Sequence, residues 1–174
     1  MCAKQKQIRG FTIVELLIVI VVIGILAAIT IVSFSGVQNR AKNQQTISAV
    51  RSYYSALKAY GIDNNGALPS GNGCLGSPEA YAANPCYIGA NTYNYTASIT
   101  NALAPYVSTA PNLPGDRVTT GSITASGIFY YSNGQYIGFV MLSTDTCPAI
   151  AGAIPDSQFL MTPHIYCKIK LPTT

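Results

Sequence analysis

Residues Phe11 to Val32 read FTIVELLIVIVVIGILAAITIV, eighteen apolar residues of twenty-two, interrupted only by Thr12, Glu15, Gly24 and Thr30. At about 1.5 Å per residue, a helix of this length spans a bilayer core. Just upstream, MCAKQKQIRG sets Lys4, Lys6 and Arg9 before the run. By the positive-inside tendency this end stays cytoplasmic and the rest is exported, although Arg40 and Lys42 weigh against it from the far side. Glu15 is the exception inside the run. A carboxylate near the start of a membrane segment is costly, and by default it marks a functional position with a partner.

Outside this segment the composition excludes several classes. The chain has 174 residues, 49% apolar and only 9% charged, against a usual charged share of about 25%. It is neither disordered nor a coiled-coil rod. The formal charge of +4 is concentrated at the start. After residue 10 there are seven Lys/Arg against six Asp/Glu, so nucleic acid as a partner has no support from charge. One His and no Trp leave few catalytic groups. No Ser/His/Asp order, phosphate loop or CxxC is present. Asp116, Asp145 and Asp156 show no metal-ligand spacing, and His164 has no evident metal partner. No catalytic residue, metal or cofactor is expected.

An ordinary secretory signal has an apolar stretch of about 7–15 residues and a small-x-small cut site. Ser33-Phe34-Ser35 has that form, which makes a secreted ligand-binding or enzymatic domain starting near Gly36 one reading. The run is longer than such a signal and carries Glu15. With the basic leader, Gly10, Phe11, Glu15 and the later Leu26-Ala27-Ala28, it resembles the type IV pilin and type II secretion pseudopilin precursors. Gly24 falls where many members have a glycine, whereas Val32 stands where many have a proline.

The resemblance implies a structural subunit, not an enzyme. A membrane prepilin peptidase/N-methyltransferase would cut after Gly10 and methylate Phe11. The subunit would wait in the cytoplasmic (inner) membrane as a single-pass protein with its N-terminus cytoplasmic. An assembly ATPase and a membrane platform would then build it into a helical surface filament for adhesion, motility or DNA uptake. A type II secretion or competence pseudopilin is the close alternative. Cleavage creates a positive amine on Phe11, and Glu15 supplies the opposite charge. The amine is that of the same helix, about one turn away, or, in a filament, that of a neighbouring subunit. Pairing between subunits would set the axial register of packing, as a lone polar group does in a coiled coil.

Beyond Val32 the helical signal persists through residues 33–60, which hold no proline and one glycine, Gly36. Phe34, Val37, Ala41 and then Ile47, Val50, Tyr54 and Leu57 follow three–four spacing. This amphipathic half is expected to back the head and to end at Gly61. Residues 61–124 are rich in turn formers and are expected to be largely irregular, with one short helix near Ala97–Val107. In residues 125–174, Asn133-Gly134 between two β-rich runs signals a hairpin. Its faces are Ile128, Tyr130, Ile137, Phe139 and Met141 on one side, and Phe129, Tyr131, Tyr136, Val140 and Leu142 on the other. Both are apolar, so periodicity does not say which packs on the helix. His164–Lys170 reads as a further strand.

Cys2 precedes the apolar run and is not a lipoprotein cysteine. The even set Cys74, Cys86, Cys147 and Cys167 in an exported head reads as two disulfides. Of three connectivities, the sequence-local one is expected, 74 with 86 and 147 with 167. The expected fold is α+β and pilin-like: a long N-terminal helix, hydrophobic then amphipathic, packed against a small antiparallel sheet. Its organisation is a leader over 1–10, a transmembrane or filament-core helix over 11–32 and an exported head over 33–174.

Overall fold

The computed structural model describes residues 11–82, 84–108, 117–142, 146–161 and 163–171, with the side chains of 31–35, 159 and 161 left aside. Contacts divide the chain into two units, Met1–Asn39 and Arg40–Thr174. Helix α1, Ile13–Asp63, contributes to both.

In the first unit every side chain from Phe11 to Thr30 is exposed. In the second, α1 buries Ile47, Val50, Tyr53, Tyr54 and Leu57, the three–four stripe of an amphipathic helix. Burial along α1 starts at Asn43; Val37 and Ala41, expected on the same stripe, are exposed. The helix also outlasts its expected end. Gly61 lies inside it, buried beside Leu68, and termination comes at Asn64-Asn65-Gly66. The Gly66 N–H donates to the Gly61 carbonyl at 2.7 Å, and Asn65 takes the left-handed conformation, φ 53°. This is a Schellman-type ending with Asn where glycine is commoner.

The head holds two antiparallel sheets. Its strands are β1 (Asn72–Leu75), β2 (Tyr87–Ile88), β3 (Thr92–Tyr93), β4 (Arg117–Thr120), β5 (Ile123–Ser126), β6 (Ile128–Tyr131), β7 (Tyr136–Leu142), β8 (Ile154–Met161) and β9 (His164–Lys170). One sheet runs β1-β6-β7-β9-β8 and the other β3-β2-β5-β4. Residues 61–124 are thus more regular than expected. They supply β1, β2, β3, β4, a 3-10 turn at Pro78–Tyr81 and helix α2, Ala97–Leu103. Strands of two to four residues carry no readable period, and β1 finds its partner β6 more than fifty residues away (Cys74↔Phe129).

The chain passes from one sheet to the other at Gly127, φ 63°. A Cβ there would collide with the Tyr81 hydroxyl, which accepts the Ile128 N–H at 3.1 Å and lies 3.2 Å from the Leu75 carbonyl, to which it donates. The β6–β7 hairpin pairs Tyr131 with Tyr136 and Ile128 with Phe139, so the two faces alternate as the sequence implies. Its loop is longer than a two-residue turn. Ser132–Gln135 close it, with the positive φ at Gln135 (50°), not at Asn133 or Gly134. The Ile128–Tyr130–Phe139 face is buried, and the Tyr130 hydroxyl donates to the Pro69 carbonyl at 3.0 Å.

Candidate functional site

At the N-terminus of α1, Thr12 is the cap and Glu15 the third helical residue. Glu15 Oε2 accepts from the Thr12 N–H at 2.9 Å and from Thr12 Oγ1 at 2.6 Å, and the Glu15 N–H points back to Thr12 Oγ1 at 3.3 Å. This reciprocal arrangement is a capping box. Two otherwise unpaired amides gain acceptors, and the carboxylate faces the positive end of the helix dipole. Thr12 was not singled out from the sequence, although Thr-x-x-Glu before an apolar run is its signature. An ionised carboxylate has about four acceptor positions, so the cap leaves capacity for an ammonium group.

Phe11 is exposed just ahead of the cap. Gly10 and the rest of the expected leader lie outside the described residues, as do Cys2, Asp116 and Asp145. Behind the cap, Ile13–Thr30 is long and apolar enough to cross a membrane, and no other such helix occurs among the described residues. Thr30 Oγ1 turns inward to the Ala27 carbonyl at 2.9 Å, hiding its hydroxyl from an apolar environment.

Residues 5–31 match the family described as Prokaryotic N-terminal methylation motif. The chain carries a prepilin-type methylation motif. It is similar to type II secretion system core protein G of Escherichia coli (strain K12), with 33% identity over 95 residues, 55% of this chain and 65% of that protein. Protein G of Pectobacterium carotovorum subsp. carotovorum is 40% identical over 57 residues, 33% of this chain and 36% of that protein. The type IV major pilin protein PilA of Myxococcus xanthus (strain DK1622) is 29% identical over 149 residues, 85% of this chain and 60% of that protein. The chain thus spans between about a third and two thirds of the length of these curated relatives. No solved structure gives a significant match. The N-terminal apolar helix and the prepilin motif together fit single-pass membrane anchoring.

The head is fastened by two disulfides, Cys74–Cys86 and Cys147–Cys167. The first staples β1 to the segment leading into β2, and the Cys86 N–H donates to the Tyr93 carbonyl at 3.0 Å. The second fixes the segment before β8 to the middle of β9, where the Cys147 N–H donates to Gln158 Oε1 at 3.1 Å. In the chain-entropy picture, closing a loop as short as the first contributes about 3 kcal/mol. Asp156 pairs with Lys168 at 2.6 Å, and His164 sits half-buried on β9. Among the described residues, no three His, Cys, Asp or Glu side chains are grouped so as to hold a metal.

Proposed function

We propose that this chain is a structural subunit of a type IV pilus-like filament. It is matured by cleavage after Gly10 and methylation of Phe11, held in the membrane by residues 11–32, and assembled through that helix. The observation carrying this reading is the exposed apolar segment Ile13–Thr30, headed by Glu15 within the methylation motif. An apolar surface of that length is stable in lipid or against identical helices, and costly in water. Filament formation moves it from the first environment to the second. A peptidase/methyltransferase and an ATP-driven membrane platform are the partners such a route requires. The N-terminus lies on the cytoplasmic side, and the head is exported.

Mass spectrometry of the chain produced with a prepilin peptidase should give an N-terminus at Phe11 carrying one added methyl group. Substituting Gly10 with a bulky residue should leave uncleaved precursor. An N-terminus near Gly36 would instead mark a secreted domain and overturn the reading.

A second reading, a type II secretion pseudopilin, is favoured by the similarity to protein G. Electron microscopy separates the two. A pilus subunit is required for long surface fibres, whereas a pseudopilin is required for secretion without them.

A further inference from the structure

The sheet face carrying Phe129, Tyr131, Tyr136 and Tyr166 opens into a cleft. Two cavities of about 430 Å³ and 450 Å³ share Tyr87, Tyr136 and Lys168 in their walls, each within the roughly 300–1,000 Å³ of small-ligand sites. The aromatic network beneath is continuous. Tyr87 lies 4.9 Å from Phe129 and 5.2 Å from Tyr93, Tyr131 4.8 Å from Tyr136, and Phe129 5.8 Å from Tyr166, centroid to centroid. Phe129, Tyr93 and Tyr166 are buried and hold the floor, while Tyr87, Tyr131 and Tyr136 stay half-exposed at the cleft. Lys168 Nζ sits 3.9 Å above the Tyr136 ring centre and 2.6 Å from Asp156 Oδ2. The cleft therefore joins rigid ring faces to a fixed cationic donor with a carboxylate acceptor beside it.

We propose that this cleft is a saccharide-binding site, taking a neutral disaccharide whose C–H faces pack on the tyrosine rings and whose adjacent hydroxyls bond the Asp156–Lys168 pair. A pyranose is apolar on its C–H face and ringed by groups that both donate and accept, and the cleft has the same two-sided character. A nucleic-acid strand fits it less well. Aromatic channels for single strands run along a basic groove, and here Asp156 already engages Lys168, with Lys170 the other lysine at the cleft. A wholly apolar partner would bury that ion pair without new hydrogen bonds, which is costly. The site belongs to the head and does not depend on filament assembly.

The full-length protein in a zwitterionic, sugar-free detergent is mixed with lactose, maltose, cellobiose or chitobiose, and saturation transfer to the sugar ring protons is read by NMR. At least one disaccharide should receive transfer. Tyr87→Ala should weaken binding by about tenfold or more. Asp156→Asn and Thr120→Arg should do the same while melting like the parent, since Asp156 and Thr120 are surface residues and Thr120 lines one cavity. Absence of transfer from all four sugars overturns the proposal, as does transfer that survives both surface substitutions. Displacement of the sugar by decathymidylate at lower concentration overturns it in favour of a nucleic-acid channel.

Discussion

Asn43 on α1 forms a two-point hydrogen bond with the main chain of Leu142, its Nδ2 donating to the Leu142 carbonyl and the Leu142 N–H donating to its Oδ1, both at 2.9 Å. A buried side-chain amide thus stands in for a missing strand neighbour at the end of β7. It fixes where along the helix the sheet begins. Asn43→Ala should cost about 1–3 kcal/mol, because both Leu142 main-chain groups lose their partner. Chemical denaturation checks this. Asn43→Asp, which keeps the acceptor but sets a buried carboxylate oxygen against the Leu142 carbonyl, should cost at least as much.

Gly138 faces Phe129 across the β6–β7 pair, and a Cβ at 138 would enter the Phe129 ring. The ring is fully buried between Tyr87 and Tyr166 and has nowhere to retreat. Gly138→Ala should therefore destabilise the head by about 1–3 kcal/mol through overpacking. Adding Phe129→Leu should recover part of that loss. Additive losses in the double-mutant cycle would show that the two positions do not compete for space.

The buried tyrosines set an alkaline limit. Burial pushes the Tyr81 and Tyr130 phenols up to about 12, and it raises Tyr53, Tyr136 and Tyr166 as well. In the unfolded chain these groups titrate near 10. Between the two values the folded state binds more protons, so stability falls as pH rises. Melting temperature should be insensitive to these groups below about pH 10 and drop steeply from there to about pH 12. The tyrosinate absorbance of these five phenols should appear together with unfolding. Full tyrosine ionisation while the head stays folded would contradict the burial argument.

Loss of the Cys74–Cys86 bridge in a Cys74→Ser/Cys86→Ser pair should lower stability by about 2–4 kcal/mol, read by thermal melting without reductant. Peptide mapping under non-reducing conditions should recover the 74–86 and 147–167 cross-links and no other pairing among the four.

Much of this architecture was legible because it rests on local chemistry. The apolar run from Phe11 and the alternation of Ile128–Leu142 each follow from residues within a few positions of one another. The two-residue strands β2 and β3 were not legible, because Tyr87 and Tyr93 become strand residues only by pairing with each other and with β5. β8 was hidden by Pro155 and by the irregularity between Pro155 and Ser157, both typical of an edge strand. Gly61 misled for a physical reason, since its small size serves packing beside Leu68 while Asn65 takes the left-handed turn. The cleft could not be read at all, because its tyrosines come from both sheets.

Glu15 carries the proposed assembly mechanism. Its carboxylate caps its own helix through Thr12 and, in the proposed filament, would be matched by the amine of a neighbouring subunit's Phe11. Glu15→Leu should leave cleavage and membrane insertion intact, because the cut bond precedes Phe11 and an apolar side chain suits lipid better. An assembling subunit would then bring an unpaired amine into an apolar interior. Glu15→Gln, which can still cap but carries no charge, should resemble Glu15→Leu, and Glu15→Asp should be intermediate. The deciding measurement is the yield of sheared surface filaments from cells producing Glu15→Leu at parental membrane levels. The account predicts few or none; a parental yield would contradict it.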